Sequence, residues 1–321
     1  MVGLKATTFS LLAAASVASP LAPRANTASN SKTSITLLYQ NNLNYTDDAN
    51  HISALLLDPL TYDKGVLACS ALSETPITKA TLMTYKADFT PQLSYLALEG
   101  RTSNSQAYYI DNGVVIAQEG ASTFKFATLA AYEGQSLPIL CTQSARGSQP
   151  ASSPATAANE VSVAAAGNTF VGYRNLKSFR FLGIQYAQQP ARFTYSTVTN
   201  VTGQTISATS YGSQCLQYGS GSENCLFLNI QTPYLPKVGS KANLRPVHFW
   251  IHGGGFTGGS GSDPGTDGGN LASREDIVTV TINYRLSTYG FLAIPGTDIL
   301  GNFGIGDQIS ALKVSSYPNI L

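Results

Sequence analysis

The run Val247-His248-Phe249-Trp250-Ile251-His252-Gly253-Gly254-Gly255-Phe256 is an apolar strand that stops in three consecutive glycines. No other stretch restricts the fold of this chain as tightly. Glycine has no Cβ, so the backbone there can turn sharply and a ligand can come close to the peptide units. A strand ending in bare backbone leaves N–H groups facing outward, where a negative charge can be held. Three readings are open: an oxyanion-binding loop, a phosphate cradle, or a tight turn without chemistry.

With 321 residues the chain has room for two domains, or for one large domain and an appendage. Net charge is about +1 with 12% charged residues, so there is no basic stripe to draw nucleic acid and no polybasic patch for a membrane surface. At the N-terminus Lys5 precedes a mostly apolar run, Ala6 to Ala18, that closes on Ser16-Val17-Ala18, small residues in the −3 and −1 positions of a cleavage site. Residues 1–18 are therefore expected to be a secretory signal peptide, and the protein to be secreted and extracellular. Pro20 and Pro23 argue against a buried helix, and nothing later is long and apolar enough to predict a membrane span. Four cysteines fit an oxidising compartment, and of their three possible connectivities the spacing favours Cys69–Cys141 with Cys215–Cys225. Asn44-Tyr45-Thr46 and Asn200-Val201-Thr202 are N-glycosylation sequons, which acquire meaning once the chain is exported.

Residues 143–158 are small, polar and carry two prolines; they predict an extended linker without a core of its own. Before it, residues 27–142 read as a small β-rich domain of unassigned role, with strands at Ser34–Tyr39, Ser94–Ala97, Ala107–Ile110 and Val114–Ala117. Asp47 and Asp48 read as a solvated acidic loop. After the linker, residues 159–321 alternate apolar strand-length runs, Phe181–Tyr186, Leu226–Gln231, Val247–His252 and Ile277–Tyr284, with glycine-rich turns and mixed connectors. That alternation predicts an α/β sheet.

Two rival chemistries meet the glycines first. Gly253-x-Gly255-x-x-Gly258 followed by Glu275 or Asp276 satisfies a dinucleotide-binding pattern, but that pattern needs a helix opening at its third glycine. Here Gly258 leads into Gly-Ser-Gly-Ser-Asp-Pro-Gly, which predicts no helix. The same stretch resembles the start of a calcium-binding nonapeptide, yet Gly265 stands where a large apolar residue belongs and no tandem copy follows. A solvated loop is the expectation for it, and no metal site is implied.

Further motifs come in a fixed order: Phe181-Leu182-Gly183-Ile184-Gln185-Tyr186-Ala187, Ser222-Glu223-Asn224-Cys225-Leu226-Phe227-Leu228-Asn229, the triple glycine, Asn283-Tyr284-Arg285, and Gly301-Asn302-Phe303-Gly304-Ile305-Gly306-Asp307-Gln308. Together these resemble the type B carboxylesterases, the cholinesterase-like branch of the α/β-hydrolase fold, over roughly residues 160 to 312. The resemblance implies a truncated α/β-hydrolase sheet preceded by the small β-rich domain, an ester substrate, and no cofactor. It implies that Gly254 and Gly255 donate N–H groups to a tetrahedral oxyanion, that Cys215 and Cys225 form the family's early disulfide, and that Arg192–Glu223 and Arg285–Asp307 are structural ion pairs. Asn224 and the short segment Gln188 to Arg192 depart from the family pattern.

The larger departure is chemical. No Gly-x-Ser-x-Gly occurs anywhere in the chain. Of the three histidines, His51 lies outside the resembling region, His248 alternates along a strand, and His252 precedes the glycines. None takes the place of the family's general base, so no Ser-His-acid relay is expected within this sequence. The expectation is a fragment of a secreted carboxylic-ester hydrolase that is inactive by itself, with the Val247–His252 strand left as an unpaired, aggregation-prone edge. A non-catalytic cholinesterase-like binding or adhesion protein is the alternative.

Overall fold

The computed structural model describes residues 28–29, 33–147 and 154–315. The expected signal peptide lies outside the described residues, as does the middle of the expected linker. The strands are β1 (Ala28–Ser29), β2 (Ile35–Tyr39), β3 (Ser53–Leu60), β4 (Ser105–Ile110), β5 (Gly113–Gln118), β6 (Lys125–Ala127), β7 (Leu137–Thr142) and β8 (Glu160–Ala165). They continue as β9 (Asn168–Arg174), β10 (Phe179–Gln185), β11 (Thr205–Ser207), β12 (Phe227–Thr232), β13 (Tyr234–Leu235), β14 (Val247–Ile251) and β15 (Val278–Ile282). The helices are α1 (Tyr62–Ala71), α2 (Lys79–Thr84), α3 (Lys86–Leu98), α4 (Gly269–Glu275), α5 (Ser287–Phe291) and α6 (Phe303–Ser315).

Two mixed sheets make the chain α/β. The first runs β13-β2-β3-β7-β4-β5-β6, and the second runs β1-β8-β9-β10-β12-β15-β14 with β11 beside β9. In the first sheet, alternate residues face opposite helices, as the twofold side-chain period of a strand requires. Leu55, Leu57, Ile139 and Cys141 share a cluster with Cys69 and Leu72 at the end of α1. Ala54, Leu56 and Leu140 share another with Leu82, Phe89 and Leu93 of α2 and α3. Burial on both faces explains why Ala54–Leu57 of β3 is a continuous apolar run rather than an alternating one.

Residues 27–142 therefore differ from the expected β-rich unit by three helices. Ser94–Ala97, expected as a strand, lies inside α3, which tolerates Pro91 in its interior. The first cluster does not stop at the first sheet; it continues through Phe179, Phe181, Ile230 and Val280 of the second. Each sheet also borrows a strand from the other half of the chain. β1 pairs in parallel with β8, and β13 pairs antiparallel with β2.

The expected linker is packed at its start. Gln143 is buried and donates through Nε2 to the Asn175 carbonyl, and the Ser144 amide donates to Glu74 Oε1. Glu74 in turn pairs with the fully buried Arg174 of β9 at 2.7 Å, whose Nη2 also reaches the Leu72 and Ala158 carbonyls. A guanidinium taken out of water must be held by such partners, since an unpaired buried charge is far costlier than a lost contact. Asp48, read as part of a solvated acidic loop, is buried too: it accepts the Tyr39 hydroxyl at 2.7 Å and pairs with Lys177 at 3.0 Å. Lys177 comes from the β9–β10 turn, so this ion pair ties one half of the chain to the other.

A candidate oxyanion-binding loop

The second sheet places the glycines. β15, Val-Thr-Val-Thr-Ile, is buried along its whole length between antiparallel β12 and parallel β14. Its apolar side chains contribute about 1.5–3 kcal/mol each on burial, which anchors the strand beside which β14 must run. β14 leaves the sheet at His252, and the glycines follow directly.

Three consecutive residues then adopt positive φ: Gly254 at +112°, Gly255 at +59° and Phe256 at +63°. A Cβ on Gly254 would stand 2.1 Å from the Gly258 carbonyl oxygen, so only glycine fits that position. The amide and hydroxyl of Thr257 both donate to the Gly254 carbonyl, at 3.1 and 3.0 Å, which closes the turn. Gly253, Gly254 and Gly255 are exposed, and among the described residues the Gly254 and Gly255 amides have no hydrogen-bond acceptor within the protein.

The support beneath the loop is dense. His252 is buried, stacks on Tyr284 with ring centroids 4.4 Å apart, and has Nδ1 2.9 Å from the Gly253 carbonyl. Burial pushes the His252 pKa down against a weaker upward pull from that hydrogen bond, and because a carbonyl can only accept, Nδ1–H is the donor. The Tyr284 hydroxyl donates to the His252 carbonyl at 3.0 Å. Past the turn, the Gly261 amide donates to Asn283 Oδ1 at 2.8 Å, and Asn229 Nδ2 donates to the Gly261 carbonyl at 3.0 Å. The Asn of two separate sequence motifs thus pins one glycine segment from both sides.

That last contact corrects the expectation of a solvated loop after Gly258. Gly258, Ser260 and Gly261 are buried, and Asp267 forms an ion pair with the fully buried Arg180, with Tyr211 also donating to Asp267 at 3.0 Å. Arg180 and Asp267 were not singled out by sequence; the only available signal was a lone arginine inside an apolar strand. No helix opens at Gly258; α4 begins at Gly269. Asp276 does not face the glycines but pairs with Arg245 at 2.8 Å and with Arg101.

The remaining singled-out residues fall as follows. Cys69–Cys141 and Cys215–Cys225 are both bonded, with Cα separations of 5.6 and 4.9 Å. Arg285 grips Asp307 in a fork, Nε to Oδ2 at 2.7 Å and Nη2 to Oδ1 at 2.9 Å, while the Arg285 amide adds a third bond at 3.1 Å. Asp307 is fully buried on α6, so the fork fixes that helix to the end of β15. Arg192 pairs with Glu223 as a fork at the surface and lies over the Tyr289 ring. Asn44 and Asn200 are exposed. His51 sits between Asp88 and Asp47, at 2.7 and 3.1 Å, remote in sequence from the glycines.

Part of the chain is similar in sequence to known proteins. Residues 168–314 match the model of the Carboxylesterase family. The juvenile hormone esterase of Heliothis virescens is 36% identical over 153 residues, 43% of this chain and 27% of that protein. The para-nitrobenzyl esterase of Bacillus subtilis is 37% identical over 150 residues, 42% of this chain and 30% of that protein. A solved carboxylesterase of Geobacillus stearothermophilus is 39% identical, covers 46% of this chain and 32% of its own, and has a TM-score of 0.42. The chain thus spans somewhat over a quarter of the length of the curated relatives it matches. By sequence, residues 168–314 are thus similar to the carboxylesterase family, and they lie largely on the second sheet of an α/β chain.

Proposed function

We propose that this chain carries the oxyanion-binding part of a secreted carboxylic-ester hydrolase and turns over no ester by itself. The observation behind the reading is the pair of exposed, internally unbonded amides at Gly254 and Gly255, held by a rigid support at the end of a strand. Such donors act on charge that develops on the carbonyl oxygen as it becomes tetrahedral, and loss of one costs ~10²–10³ in rate. Pre-set positive φ means that the loop spends nothing on reorganising when that charge appears.

The attacking group is another matter. Without a Gly-x-Ser-x-Gly segment there is no elbow to present a serine to a base. Two disulfides and the N-terminal sequence support export, and the exposed sequons at Asn44 and Asn200 are then glycan acceptors.

Glycine-selective ¹⁵N labelling of the full chain tests the loop directly. Sodium butyrate, a carboxylate of oxyanion-like charge, should shift the Gly254 and Gly255 amides saturably and leave distant glycines such as Gly100 and Gly134 unmoved. The same preparation should show no hydrolysis of p-nitrophenyl butyrate above background. Turnover abolished by a serine-directed organophosphonate would overturn the second half of the proposal, and unmoved Gly254 and Gly255 signals the first.

A further inference from the structure

The disulfide Cys215–Cys225 closes a ten-residue separation around a tight hairpin that lies against the glycine loop. At its tip the Gln217 and Ser220 backbones bond each other in both directions at 2.9 Å, with Tyr218 at φ +48° and Gly219 at φ +79° forming the corner. Positive φ at both corner positions is the geometry that lets a two-residue turn follow the twist of its arms. The cost of holding a tyrosine there is real, and such strained positions concentrate where the surrounding structure uses them.

The hairpin tip reaches the glycine loop at two points. Gln217 presents both ends of its carboxamide to one residue: the Gly259 amide donates to Oε1 at 2.8 Å, and Nε2 donates to the Gly259 carbonyl at 2.8 Å. Nε2 also reaches back to the Cys215 carbonyl at 3.2 Å, so the clamp is seated on the disulfide's own backbone. Beside it, the Tyr218 ring covers Gly258 so closely that a Cβ there would lie 2.6 Å from it, and the Tyr218 hydroxyl is 3.3 Å from Thr257 Oγ1. Thr257 is the residue that holds the Gly254 carbonyl, and Gly258 is the one whose carbonyl packs against the Gly254 Cα.

We propose that Gln217 is a positioning residue for the oxyanion donors: it fixes the far side of the glycine loop, and the Cys215–Cys225 bridge fixes Gln217. This rests on the reading of Gly254 and Gly255 given above. A planar amide bonded at both ends fixes the two peptide units that flank the Gly259 Cα as well as their distance, which a single contact would not. Opening the disulfide frees the hairpin, releases the clamp and lets the Gly254 and Gly255 amides lose their common aim.

The test uses the glycine-labelled full chain with butyrate at about pH 7. Gln217→Ala should speed hydrogen exchange at the Gly259 amide about tenfold and weaken the butyrate response at Gly254 and Gly255 severalfold, and dithiothreitol should do the same to the wild-type chain. Gln217→Glu supplies the readout that a merely structural role would not move. Protonated at about pH 3.5, its carboxyl offers one acceptor and one O–H donor, as the amide does, and Gly259 exchange relative to wild type should be near normal. Ionised at about pH 7, it sets a charged oxygen against the Gly259 carbonyl, and protection should be lost. If Gln217→Ala does not fold, the pH pair in the single Gln217→Glu sample decides. A butyrate response equal in wild type and Gln217→Ala, or a Gln217→Glu ratio flat with pH, overturns the proposal alone. No butyrate response in the wild-type chain overturns the oxyanion reading and the proposal with it.

Discussion

The two sheets manage their edges in opposite ways. The first ends in short strands, two residues at β13 and three at β6, and the latter carries an exposed lysine, Lys125, with Lys79 set 4.5 Å from the Phe126 ring centroid. The second ends in β14, five residues long, paired only with β15 among the described residues, with Val247, Trp250 and Ile251 at 45%, 37% and 41% exposure. The outer side of α6 is similarly bare, showing Ile305, Ile309 and Leu312 at helical spacing. A charged, short edge resists strand addition, whereas a long apolar one invites it. Both edges of the first sheet are thus short, as is the β1 edge of the second, whereas the β14 edge is long and apolar, and the glycine loop hangs from it.

The largest effect should come from exchanging the two edges. Ile251→Lys at β14 is expected to raise the soluble, monomeric fraction severalfold in light scattering, while Lys125→Val at β6 should lower it. Equal behaviour of both variants and wild type would erase the distinction between the short charged edge and the long apolar one. Next comes the interior of the open sheet. Asp307→Ala strands a buried guanidinium and should cost about 3–5 kcal/mol in denaturant unfolding. Glu223→Ala, which breaks the surface fork with Arg192, should leave the midpoint within error. An effect smaller than that of Asp307→Ala belongs to the first sheet's side. Burial opposes the charge on His51, but hydrogen bonds to Asp88 and Asp47 outweigh it and raise its pKa above the ordinary value. A raised folded value gives stability that is full below the unfolded value of about 6.5 and is lost as pH rises through the folded one. His51→Gln should therefore lower the melting temperature by a few degrees at about pH 5.5 and by less at about pH 8.5. The opposite order would exclude a charged His51 in the fold.

Strands were legible in both sheets: the expected Ser34–Tyr39, Ala107–Ile110 and Val114–Ala117 fall on β2, β4 and β5 of the first. Expected strands at Phe181–Tyr186, Leu226–Gln231, Val247–His252 and Ile277–Tyr284 correspond within a few residues to β10, β12, β14 and β15. Those runs are rich in apolar, β-branched and aromatic residues, so local pattern suffices. Ser94–Ala97 failed because four residues cannot separate a period of two from one of 3.6, and because Pro91 conceals the helix around them. The borrowed strands β1 and β13 were invisible: two-residue pairings carry no periodic signal and are set wholly by tertiary contact. The triple glycine announced the loop, since positive φ has a residue signature. Gln217 did not announce the clamp, because a carboxamide between two cysteines looks like any exposed glutamine until the partner peptide is in place.

The exchange of β1 and β13 between sheets imposes an order on synthesis. The first sheet cannot acquire its outer strand until Leu235 has left the ribosome, although its other six strands are complete by Thr142. For nearly a hundred residues of translation, β2 must wait with one side open, and the earliest-made part of the molecule becomes one of the later parts to close.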